Sequence, residues 1–124
     1  MSSLLAPLMV IGDDASFCYL MQRYAKKAAC SVVLVHFTED ALSIALHATP
    51  GAFIVELDTP GDKGLAILDT LKAHPLTCDI PFILCSWTEE TQHHLDGSAA
   101  LYLRKPILYD DFQTALTEVG FDVS

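Results

Sequence analysis

Five groups of chemically able residues each follow a short apolar run. They are Gly12-Asp13-Asp14, His36, Glu56-Leu57-Asp58, Ser86-Trp87 and Arg104-Lys105. Carboxylates crowded together repel one another unless a lysine or a divalent cation compensates, and Lys105 is placed to reach in. Acids, one hydroxyl and one ammonium together have the anatomy of a phosphoryl or magnesium site. Taken singly, an acid after a strand is equally well explained as a helix N-cap, and Asp14 above all fits that plain reading.

These groups share a site only if the runs before them lie side by side. Leu8 to Ile11 is uninterrupted apolar sequence, the pattern of a strand covered on both faces. After it, Phe17, Leu20, Met21, Tyr24, Ala25 and Ala28 recur at helical spacing, with Asp14 or Ser16 as N-cap and Lys26-Lys27 in the last turn. Val32 to Val35 reads as a second strand. A helix capped at Thr38 follows, with Leu42, Ala45 and Leu46 facing inward until Pro50-Gly51 stops it. Phe53 to Val55 is a third strand, and Thr59-Pro60-Gly61 a turn. The next helix faces Leu65, Leu68 and Leu71 inward and closes at His74-Pro75. Phe82 to Cys85 is a fourth strand opened by Pro81, where a missing N–H is tolerated. Thr88 to His94 is polar almost throughout, so a helix there is expected to be short, and the stretch from Trp87 to Ala99 mobile. Ala100 to Leu103 is a fifth strand, and Phe112, Ala115, Leu116 and Val119 mark a last helix ended by Gly120. Five β-then-α units predict a doubly wound (βα)5 parallel sheet in three layers, with ligands beyond the carboxyl ends of its strands.

Composition narrows the function. The 124 residues carry 7 Lys+Arg against 16 Asp+Glu, a net charge of −9, and 52% are apolar. That predicts one domain over residues 1–124 that folds without a staple. It leaves no basic stripe for nucleic acid or an anionic membrane. Leu4 to Ile11 has no basic flank, contains Pro7 and runs into Asp13, so it is neither a bilayer span nor a signal peptide. Cys18, Cys30, Cys78 and Cys85 lack C-x-x-C spacing and are expected as buried thiols of a cytoplasmic protein.

The segments V-I-G-D-D-A-S-F, T-E-D-A-L, I-V-E-L-D-T-P-G-D-K-G, P-F-I-L-C-S and L-Y-L-R-K-P occur in this order. In sequence and separation they resemble the receiver domain of two-component response regulators over essentially the whole chain. The resemblance implies a flavodoxin-like fold with strand order 2-1-3-4-5. It also implies a signalling module rather than an enzyme, acting with a histidine kinase, a phosphotransferase or another regulator. By position, Glu56 stands at the phosphoacceptor, Asp13 at the direct magnesium ligand, and Gly12 where a second acid is usual. Asp58 would offer its backbone carbonyl to the metal. Ser86 matches the switch hydroxyl, Tyr102 the aromatic that moves with it, and Lys105 the lysine before a cis-proline at Pro106.

Two departures from the family pattern matter most. Glutamate at 56 carries one methylene more than the family's aspartate, which moves its carboxylate by about 1.5 Å. A displacement near 1 Å can cost roughly a hundredfold in rate. Gly12 removes one metal-ligating carboxylate, so magnesium is expected to bind weakly and no cofactor to be required. The resulting expectation is a pseudo-receiver in which Glu56 reaches Ser86 and Lys105 and stands in for phosphate. The alternative is a phosphorylatable receiver using Asp58 or Glu56. A remote one is a haloacid-dehalogenase-like phosphatase, suggested by Glu56-Leu57-Asp58-Thr59 but opposed by its position and by chain length. Asp13-Asp14 admits two registers, either ligand then cap or two acids of one pocket, the first being favoured. Trp87 either covers the site or packs on the helix after it. His93-His94 reads as a solvated pair.

Overall fold

The computed structural model describes residues 6–58, 60–88 and 100–121. Each apolar run is a strand: β1 Leu8–Ile11, β2 Val32–Val35, β3 Ala52–Glu56, β4 Phe82–Ser86 and β5 Ala100–Arg104. Four described helices are α1 Ala15–Lys27, α2 Ala41–Ala48, α3 Lys63–Ala73 and α4 Tyr109–Glu118, with a 3-10 turn at Pro60–Asp62 before α3. The strands form one parallel sheet in the order β2-β1-β3-β4-β5, as the sequence predicts.

Strands buried on both faces must present apolar side chains on both. Leu8, Val10, Ile54, Ile83 and Cys85 pack on one side against Phe17, Met21 and Ala25 of α1 and Phe112 and Leu116 of α4. Met9, Ile11, Phe53, Val55, Phe82 and Leu84 pack on the other against Ala41 and Ala45 of α2 and Leu68 and Leu71 of α3. The period of two along each strand thus feeds two separate cores. Register brings the strand ends level, with Ile11 opposite both Val35 and Val55, Glu56 opposite Cys85, and Ser86 opposite Arg104.

Several local expectations need correction. The cap of α2 is Asp40 rather than Thr38, because the Asp40 carboxylate accepts the Ser43 N–H at 3.1 Å. Leu46 faces outward, and the residues that α2 buries are the smaller Ala41 and Ala45. Among the cysteines, all free, Cys18 and Cys85 are buried, Cys30 is half-buried and Cys78 is exposed on the turn after α3. The segment expected to form a short helix after β4, with His93-His94, lies outside the described residues apart from Thr88. No helix of the described residues is long and apolar enough to cross a membrane.

Phe53 is fully buried and stacks on Phe82 with ring centroids 5.0 Å apart. Phe53→Ala is expected to lower the unfolding free energy by about 3–5 kcal/mol in urea titration. A loss under about 1 kcal/mol would mean that this core can collapse onto the cavity.

Candidate functional site

The level strand ends leave a polar edge above two apolar cores, so any charge placed there must find partners close by. Lys105 directly follows β5, and its peptide bond to Pro106 is cis. The Lys105 amide donates to the Ser86 carbonyl at 2.8 Å, which extends the β4–β5 pairing by one step. From there the ammonium lies 2.8 Å from Glu56 Oε2 and 3.0 Å from Asp58 Oδ2. Its aliphatic stem is covered, with only 9% of the side chain exposed. The faces of Phe17 and Trp87 flank the charge, 5.0 and 5.9 Å from the ring centroids.

Glu56 ends β3 and is buried. Oε2 takes the ammonium, while Oε1 accepts the Asp13 and Asp14 backbone N–H groups at 3.1 and 3.2 Å. These two amides lead into α1, where oriented backbone dipoles favour negative charge. Asp14 caps that helix, its Oδ2 accepting the Phe17 N–H at 2.8 Å. Asp13 turns the other way. Its Oδ1 accepts the Phe37 N–H at 2.9 Å and lies 3.5 Å from His36 Nδ1, toward the β2–α2 turn.

Asp58 supplies the second carboxylate. Ser86 Oγ donates to its Oδ1 at 2.6 Å, and the Trp87 backbone N–H donates to Oδ2 at 2.9 Å. Ser86 Oγ in turn accepts the Thr88 N–H at 3.1 Å, which fixes the direction of its own proton. This corrects one expectation: Glu56 reaches Lys105 but not Ser86, whose partner is Asp58. The turn after β3 brings Asp58 back over the sheet edge, two residues beyond the strand. The E-x-D spacing was the available signal, but the curvature of the turn could not be read from it.

A groove of about 470 Å³ opens beside the clamp, walled by Phe17, Leu20, Trp87, Pro106 and Ile107. Trp87 is 57% exposed, so the indole lines this groove without closing it. Tyr102 is partly buried against the core under α2 and α3, on the sheet face opposite α1 and α4. Glu56 and Asp58 meet at the Lys105 ammonium, but Asp13 is turned toward Phe37 and His36, so the three acids do not gather. Among the described residues no three His, Cys, Asp or Glu side chains gather as a cation site. With both Glu56 oxygens already on donors and Asp13 turned away, the arrangement does not fit a magnesium ion.

Burial alone would lower the Lys105 pKa, but hydrogen bonds to Glu56 and Asp58 outweigh it and hold the ammonium above the ordinary lysine range. Burial, reinforced by the negative charge of Glu56, pushes the Cys18 thiol up, and burial does the same to Cys85. Neither is a ready nucleophile.

Fold and site together define a doubly wound domain with an acid, hydroxyl and lysine cluster at the carboxyl edge of its sheet. The family model described as the response regulator receiver domain matches residues 8–117, and the chain belongs to that family. Similar solved structures include the chemotaxis protein CheY4 of Vibrio cholerae, at 18% identity and TM-score 0.81 over 93% of this chain and 98% of that one. A CheY-like receiver domain from Methylobacillus flagellatus matches at 22% identity and TM-score 0.74, covering 93% of this chain and 98% of its own. The signal receiver domain of a histidine kinase from Syntrophus aciditrophicus matches at 16% and 0.78, covering 92% and 89%. At such identities these likenesses concern the fold. A search of curated protein sequences gave no match. Receiver domains are signalling modules of two-component systems, which interact with kinases and other proteins in phosphorelays.

Lys105→Met leaves two carboxylates without their cation and is expected to cost about 3–5 kcal/mol in denaturant unfolding. A loss below about 1 kcal/mol would contradict the clamp. Because the folded-state pKa lies above the ordinary 10.5, the clamp's contribution is fully present below that pH and is lost as pH rises through the folded-state value. The wild type should therefore show an alkaline fall in stability that Lys105→Met lacks.

Proposed function

We propose that this chain is a pseudo-receiver, a two-component signalling domain that acts by protein–protein docking in a state fixed by its own carboxylates. The observation that carries the reading is the Lys105 ammonium held between Glu56 Oε2 at 2.8 Å and Asp58 Oδ2 at 3.0 Å. An acyl-phosphate forms only if a carboxylate oxygen can approach the donor phosphorus in line. Both Glu56 oxygens are already bound to donors, and Oε1 is turned toward the backbone leading into α1.

The Ser86 hydroxyl, the Trp87 N–H and the Lys105 ammonium form a three-donor pocket for an oxyanion. Asp58 holds all three, so the domain carries its own anion where an incoming phosphoryl group would need those donors. Glu56, longer than the acceptor it resembles, holds the lysine from below. Ser86, Tyr102 and Lys105 then serve as parts of a fixed arrangement rather than a switch, and Asp13 and Asp14 shape the α1 entry rather than a metal centre.

On this reading the partner is a histidine kinase, a phosphotransferase or another regulator. The net charge of −9 favours basic protein surfaces over nucleic acid or membrane. Four free cysteines suit a reducing compartment, the cytoplasm.

Incubation with a small acyl-phosphate donor and magnesium, followed by intact-mass measurement, tests the proposal. No phosphoryl adduct is expected under conditions that load an ordinary receiver run in parallel. A stoichiometric adduct mapped to Glu56 or Asp58 would overturn it and leave a phosphorylatable receiver in its place.

A further inference from the structure

Gly12 sits between β1 and α1 with its backbone pinned at both ends. Its amide donates to the Val35 carbonyl at 3.0 Å, and its carbonyl accepts the Cys18 thiol at 3.4 Å. Gly12 is not among the residues with positive φ, so its backbone conformation is open to any amino acid. What excludes a side chain is the neighbour. A Cβ on Gly12 would lie 2.8 Å from Glu56 Oε1, 3.1 Å from Glu56 Cβ and 3.2 Å from Phe17 Cδ2. Optimal heavy-atom contact is about 3.5–4.0 Å, so the closest of these is a hard overlap.

The carboxylate cannot easily yield. Oε1 is held by the Asp13 and Asp14 amides, Oε2 by Lys105, and the side chain is 1% exposed. Moving it would strip donors from a buried anion, which costs more than shifting an exposed side chain. We infer that Gly12 and Glu56 are a coupled pair: the long carboxylate fills the volume that a side chain at 12 needs, so an acid can be accommodated there only when Glu56 is shortened.

The two departures from the family pattern are then one structural event. An acid at 12 alone would overlap Glu56 and add a second negative charge beside it. A shorter acid at 56 alone would open the volume but supply no further ligand. Together they would place carboxylates at 12 and 56 side by side, and the excess negative charge there would call for a divalent cation. The magnesium half of this inference rests on the pseudo-receiver reading, whereas the steric half stands without it.

Thermal unfolding of wild type, Gly12→Ala, Glu56→Asp and the double variant, without magnesium, tests the steric half. Gly12→Ala is expected to lower Tm by about 5 °C or more beside Glu56, and by less than half as much beside Asp at 56. Equal losses in both backgrounds would overturn the coupling. For the magnesium half, the emission of Trp87, the chain's one tryptophan, is followed as magnesium is added to Gly12→Asp, Glu56→Asp and their combination. The gain in affinity in the combination should exceed the product of the two single gains by about tenfold or more. Gains that merely multiply would reject this half, and the absence of phosphorylation in the wild type would be untouched by that result.

Discussion

One ammonium between two carboxylates is the interaction on which the rest of this site depends. Glu56 is buried where an unpaired charge would be costly, and Lys105 is nearly so, with a pKa that burial by itself would depress. Each therefore needs opposite charge close by. A second acid, Asp58, leaves the cluster with one negative charge in excess. That excess is answered by the fold, through the backbone N–H groups of Asp13, Asp14 and Trp87 and the Ser86 hydroxyl. The members share partners, Lys105 with both acids and Asp58 with Ser86 and Trp87, so the cluster behaves as a unit.

The fold supplies this density of donors because five parallel strands end at one edge. The amides of Gly12, Leu57 and Lys105 carry the ladders one step past the strands, while those of Asp13, Asp14 and Trp87 point at the carboxylates. Helix α1 contributes from one side and the β4 and β5 ends from the other. A close approach beneath the third strand completes the arrangement. A Cβ on Gly64 would run into the Glu56 carbonyl, so α3 can begin directly under the turn that brings Asp58 back to Ser86. The lysine ammonium lies over the Phe17 ring, and a groove beside it remains open.

Much of this was legible in the letters. Unbroken apolar runs such as Leu8–Ile11 and Phe82–Cys85 could only be strands covered on both faces, and the residues after them had to share an edge. Asp14 reads as the cap it is, and the Glu56–Lys105 pairing follows from one buried acid facing one cation. The partner of Ser86 did not follow, since two acids two positions apart differ in reach according to how the chain curves after β3, which has no period. Gly12 read as a missing ligand, and its steric debt to Glu56 emerges only in three dimensions. Leu46 misled because α2 meets the core through Ala41 and Ala45, a face that its apolar spacing left open.

On the proposed reading, a domain whose anion pocket is filled from within has no chemical event of its own to report. What it would offer a partner is a fixed surface, with Trp87 held by the same clamp that occupies the pocket. The most direct test is nitrogen-15 NMR of the Lys105 side chain. A slowly exchanging ammonium is expected, with through-space contacts to Glu56 and Asp58, and still protonated at the ordinary lysine value of 10.5. A Lys105 ammonium exchanging freely with water and half-deprotonated at or below that pH would contradict the clamp.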